Sequence, residues 1–159
     1  MIEAVTKLSI ERHIKILDRL RSDSERVFGT LDACGMIRHL RYSYEMSTGK
    51  QEAPDESKPV IRTLLWIFAF NILTEWPGGK IKGPDHVTPT PEGDFNEEKK
   101  LLVQAMREFV AKLDSNPDEK HVNPGLGPLT LTKWSHLHGV HCHHHYKQFQ
   151  LEEDEKEVA

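Results

Sequence analysis

With two cysteines, Cys34 and Cys142, the 159-residue chain has too few for a disulfide framework. Its first residues, MIEAVTKLSIERH, carry charges where a signal peptide needs an apolar core. Together these predict a reducing, cytoplasmic location. A basic block is also missing, and the net charge is -4 at pH 7, so no phosphate-tracking surface for nucleic acid is expected. No apolar run approaches the roughly 20 residues of a membrane span. The most apolar segment, Leu64 to Leu73, lies between Arg62 and Glu75 and reads as a buried helix rather than an anchor. A P-loop, a dinucleotide fingerprint and a Ser-His-Asp order are absent. Sustained strand-like alternation is nearly absent too, which leaves helices as the expected elements. A hydrophobic content of 37% suffices for one domain with its own core. That domain is predicted over 1–151, followed by an acidic tail over 152–159.

The helices follow from periodicity and punctuation. Ser9 can cap a first helix whose Ile10, Ile14, Leu17 and Leu20 face inward while Glu11, Arg12, Lys15 and Arg19 face water. Gly29-Thr30 supplies a break and a new cap for a second helix over about 31–47. Its inward stripe would be Asp32, Met36, His39, Leu40, Ser43 and Met46, which places one histidine among apolar neighbours. Residues 49–58 read as a loop. Pro59 behind Ser57 opens a third helix to Trp76, apolar nearly all round, as suits burial on several sides or cover by a second copy in a homodimer. Residues 77–93 hold four of the nine prolines and four of the ten glycines and read as a long loop. Asp94 with Glu97 resembles a capping box for a helix carrying Leu101, Leu102, Ala105, Met106, Phe109, Val110 and Leu113. Asn116-Pro117 ends it. His121 to Leu129, with two prolines and two glycines, reads as a second loop before Thr130 caps the last helix. The expected fold is all-α: four principal antiparallel helices with long crossovers, the second facing the last across the core.

What the chain has in excess is histidine, six of its ten falling between Trp134 and Phe149. In a helix that turns about 100° per residue, Trp134, His138, His141, His145 and Phe149 share a stripe, whereas His136, His143, Lys147 and Gln150 point the other way. A histidine pair at i and i+4 can converge on one cation. His141 and His145 have that spacing, and His39 is the candidate third ligand. The competing reading of all three is core histidines bonded to backbone or water. His138 suits packing better than a fourth ligand, and His144 a supporting role beside a ligand or against substrate. Cys142, Met36, Met46, Trp66, Trp76 and Trp134 read as packing residues, and Cys34 as facing away from His39.

Three stretches resemble the DinB-like superfamily, metal-dependent four-helix-bundle enzymes related to the bacillithiol and mycothiol transferases. Met36-Ile-Arg-His39-Leu40 is similar to that family's Met-x-x-His-Leu on the second helix. His141 and His145 are similar to its HxxxH on the last. Asn123-Pro-Gly-Leu-Gly-Pro-Leu-Thr130, then Trp134 and His144-His145-Tyr-Lys-Gln-Phe149, resembles an uncharacterised branch that reads His-Pro-x-Phe-Gly, Leu-Thr, Trp and His-x-x-His-His-x-x-Gln-Phe. Asn123 and His143 depart from it, standing where the branch has histidine and aspartate. The resemblance implies a DinB-like four-helix bundle in which His39, His141 and His145 bind a divalent metal ion.

Three neutral imidazoles hold a cation without cancelling its charge, so water or a thiol at a remaining position is acidified. Zinc or nickel is the first expectation, with iron, manganese or cobalt also compatible. The expected activity is thiol S-transfer or hydrolysis on a small molecule, a low-molecular-weight thiol among the candidates. The alternative is a non-catalytic metal-binding or small-ligand-binding bundle.

Overall fold

A computed structural model describes residues 3–59, 62, 63 and 93–152. Among these the chain is mostly helical, with one small sheet. In order come α1 (Ile10–Asp18), α2 (Ala33–Thr48), α3 (Phe95–Ser115), β1 (Lys120–Asn123), β2 (Gly127–Thr130) and α4 (Leu131–Gln148). All but residue 93 of the loop expected over 77–93, residues 64–76 of the apolar helix expected from Pro59 to Trp76 with its dimer contact, and the tail beyond Glu152 lie outside the described residues. At the start of that third helix, the Arg62 amide donates to the Lys58 carbonyl at 2.7 Å, a helical turn that opens at Pro59 as expected.

The expected stripe of α1 is buried, Ile10, Ile14 and Leu17 with Leu20 just beyond the end. Ser9 does not cap it. The Ile10 amide already bonds to the Thr6 carbonyl at 2.9 Å, so helical winding begins a turn earlier. The Ser9 hydroxyl accepts from the Thr6 amide and donates to the Ala4 carbonyl. The N-terminal segment then lies on α4. The Val5 amide donates to the Ser135 carbonyl at 3.1 Å, and the Ser135 hydroxyl returns a bond to the Val5 carbonyl at 2.7 Å. Gly139 permits this contact, because a Cβ there would stand 2.3 Å from the Glu3 carbonyl oxygen.

In α2, Asp32 is exposed rather than inward, and its carboxylate accepts from the Gly35 amide at 2.7 Å. It, not Thr30, is the N-cap, and the backbone turns at Gly29 with φ 78°. Met36, Leu40, Ser43 and Met46 are buried as expected, joined by Ile37, Tyr44 and Ser47. Asp94 caps α3 through the Glu97 amide at 2.8 Å. Leu102, Ala105, Met106, Phe109 and Val110 pack inward, while Leu101 is exposed. The α2 and α3 helices make the most extensive contact between elements. On its rim, the Arg41 guanidinium donates to Glu98 at 2.9 Å and to Glu45 at 2.7 Å.

The loop expected over His121 to Leu129 is an antiparallel hairpin, with His121 opposite Leu129 and Asn123 opposite Gly127. Its strands are four residues long and one contains Pro128, so neither period nor β-propensity marks them. The turn is side-chain driven. The Asn123 Oδ1 accepts from the Gly125 and Leu126 amides at 3.0 Å each, and Gly127 takes the left-handed φ of 70° that closes it. The hairpin aims the last helix. Thr130 ends β2 and caps α4, accepting from the Lys133 amide at 3.3 Å. One turn on, the Trp134 indole donates to the His121 carbonyl at 3.1 Å.

Candidate metal centre

The α2 helix contributes His39, and two successive turns of α4 contribute His141 and His145. The Nε2 of His141 stands 2.9 Å from that of His39 and 3.1 Å from that of His145. All three ligand atoms lie within 4.8 Å of one another. The rings meet at 84° (His39 and His141), 73° (His39 and His145) and 52° (His141 and His145), so they converge by their edges rather than stack. Imidazole nitrogens bound side by side at about 2.0–2.1 Å from one cation stand roughly 2.9–3.4 Å apart. The two short separations fit that spacing.

Protonation favours the same use. Burial first, and then His39, push the His145 imidazole down to about 3. Burial followed by His39 and His145 pushes that of His141 well below its usual value. Both rings are therefore neutral at pH 7 and hold a lone pair for donation. The His145 Nδ1 meets the Gln148 Oε1 at 2.8 Å, an outer contact of the kind that orients metal-binding imidazoles.

The remaining histidines do other work. His138 is fully buried one turn earlier, its ring stacked on Tyr44 at 3.9 Å and on Trp134 at 5.3 Å, with Phe109 edge-on at 4.7 Å. Its Nε2 bonds the Ser47 hydroxyl at 2.9 Å. It packs among rings and is not one of the three histidines whose ligand atoms cluster. His144 sets its ring across that of His145 at 5.0 Å and beside Phe28 at 5.3 Å, adjacent to the cluster. His143, expected in solvent, is half-buried and pairs with Glu152 at 2.8 Å. Cys142 is fully buried, 3.5 Å from the Tyr44 hydroxyl, and burial raises its thiol to about 11. Cys34 directs its thiol to the Gly93 carbonyl at 3.7 Å. Asn123 serves the hairpin turn.

Two residues escape a reading by stripe. His13, buried on α1, places its Nδ1 3.0 Å from the Tyr146 hydroxyl, and burial lowers its pKa. Gln148 bonds the nearby His145, but the contacts that hold it there, with Val27 and Phe28, lie far off in sequence. Packed in the fold, α4 carries two rows that each step by four, His141-His145 and Trp134-His138-Cys142-Tyr146.

Fold and site together define a class, a mostly helical protein with three histidines close enough to bind a metal ion. No family model, no curated protein and no solved structure matches the chain with significance. Among the described residues no helix is long and apolar enough to cross a membrane.

Proposed function

We propose that His39, His141 and His145 hold one divalent metal ion, in a DinB-like four-helix bundle that catalyses thiol S-transfer or hydrolysis on a small molecule. One observation carries the reading: three imidazole edges converge, and hydrogen bonds within the cluster cannot satisfy the middle one, His141. Each Nε2 has either one proton or one lone pair in the plane of its ring. His141 Nε2 faces two nitrogens at once, at 2.9 and 3.1 Å. Its single proton cannot be well aligned to both, and its single lone pair cannot accept both. His39, His141 and His145 could each give a lone pair to one shared cation, which would remove the conflict.

The donor set is all nitrogen and uncharged, which suits zinc or nickel, with iron, manganese or cobalt as further candidates. The cation, when bound, would lower the pKa of a water or thiol and so supply a nucleophile near neutral pH. The chain's own residues do the rest. Three imidazoles would orient the cation, and His138, whose Nε2 is held by Ser47 while its ring stacks on Tyr44, would leave a position for water or substrate. That openness favours the catalytic reading over a closed structural site. His144 stands beside the cluster as the candidate to meet a substrate. The resemblance of His39, His141, His145 and the Thr130-to-Phe149 stretch to the DinB-like pattern supports the family assignment.

Elemental analysis of protein purified without a histidine tag tests the ligands. Wild type and His143→Ala should carry about one equivalent of metal, and His39→Ala and His145→Ala should lose it. Equal content in all four would defeat the assignment. A panel of small thiols and esters, assayed with the metal-loaded protein, tests the chemistry.

A further inference from the structure

Gln148 is 3% exposed and lies one turn beyond His145. Its amide orientation is settled by what it touches. The amide nitrogen donates to the Phe28 carbonyl at 2.9 Å, and a carbonyl can only accept. The other end, facing the His145 Nδ1 at 2.8 Å, is therefore the amide oxygen, which also can only accept. The His145 Nδ1 must then carry the proton. A neutral imidazole has one, so its Nε2 presents a lone pair, and that is the atom 3.1 Å from the His141 Nε2.

The loop that fixes Gln148 is itself fitted to it. The Val27 amide donates to the Gln148 main-chain carbonyl at 2.8 Å. Gly29 has φ 78°, and a Cβ there would stand 2.4 Å from the Gln148 Nε2, so both backbone and space exclude a side chain. Residues 27–29 thus hold Gln148 by its backbone, by its amide nitrogen and by close approach.

We propose that Gln148, clasped by Val27 to Gly29, is a positioning residue: it locks His145 as the Nδ1-protonated tautomer and delivers the Nε2 lone pair into the histidine cluster. The consequence for cation affinity rests on the function proposed above; the tautomer itself does not. Two substitutions separate positioning from mere support. Gln148→Met keeps volume and loses both bonds. Gln148→Glu keeps an acceptor for the His145 Nδ1 proton and loses the donor to Phe28.

Nitrogen-15 NMR of the metal-free protein reads the tautomer, and competition against a chromophoric chelator reads affinity for zinc alone. Wild type should show His145 protonated at Nδ1, and Gln148→Met a mixture of tautomers with zinc affinity lowered about 10–100-fold. Gln148→Glu should restore both, even though each variant melts at a lower temperature than wild type. Zinc affinity that falls equally in the two variants, following their melting temperatures, would overturn the positioning role. So would His145 protonated at Nε2 in wild type. A locked tautomer in wild type, freed in Gln148→Met, with no zinc uptake by either, would sustain the role of Gln148 and defeat the metal reading instead.

Discussion

The histidine helix presents two inward rows that differ in what they meet. The His138, Cys142 and Tyr146 row packs against rings and hydroxyls: Tyr44, Phe109 and Trp134 surround His138, and Ser47 takes its Nε2. The His141 and His145 row meets a third imidazole, His39, edge to edge. Burial and depressed basicity are common to both, since His138 and His145 alike fall to about 3. Neither property distinguishes a ligand from a core histidine. The distinction lies in partners: His138 has its faces covered and a nitrogen bonded to a hydroxyl, whereas His141 has its Nε2 aimed at two other imidazole nitrogens.

Exchanging one member of each row breaks this comparison most sharply. His145→Ala should lower zinc affinity more than about 100-fold, beyond the 10–100-fold typical of an outer contact. His138→Phe, which suits the aromatic stack, should leave it within a few-fold. Ser47 stays satisfied in that variant because its hydroxyl also donates to the Tyr44 carbonyl at 2.7 Å. Chelator competition measures both, and equal losses would merge the two rows into one function.

Acid sharpens it next. The native pKa of His138, about 3, lies below the roughly 6.5 of an unfolded histidine, so below pH 6.5 the unfolded chain binds the extra proton. Its contribution is full above pH 6.5 and is lost as pH falls toward 3, at about 1.4 kcal/mol per unit. Denaturant unfolding of the metal-free protein should therefore lose about 2 kcal/mol less between pH 6.5 and 5 in His138→Phe than in wild type. An identical loss would mean that His138 titrates normally.

Smaller effects should touch stability and spare the cluster. Gly139→Ala drives a methyl into the Glu3 carbonyl and should cost about 1–2 kcal/mol by chemical denaturation, with metal content unchanged. Thr130→Ala removes the cap of α4 and should cost about 1 kcal/mol. Reduced metal content in either would show that the cluster depends on how α4 is seated rather than on its own donors.

Much of this was legible in local sequence, and what was not has a common cause. The i and i+4 spacing of His141 and His145, the Asp94 and Thr130 caps and the apolar stripe of α3 are set within one or two turns, where period and capping chemistry act. The separation of His138 from His145 is not local. Seven residues apart on a helix, they point within about 20° of each other, and only the register of α4 against α2 decides which rung each meets. His39 meets His141 and His145, whereas Ser47 meets His138, so the two helices run antiparallel. The hairpin was missed because a side chain, Asn123, and a glycine build it. Gln148 was missed because its tie to His145 depends on a second bond, to the Phe28 carbonyl, that spans 120 residues.

The bond between Ser135 and Val5 spans 130 residues. A ribosome adding about 5–20 residues per second therefore makes that partner on the order of ten seconds after Val5 emerges. Until then the apolar side of α1 has no α4 to rest on, and His39 has neither of its companions. Residues 3–5 must wait for α4, so a nascent chain stalled before residue 131 would hold His39 without His141 or His145.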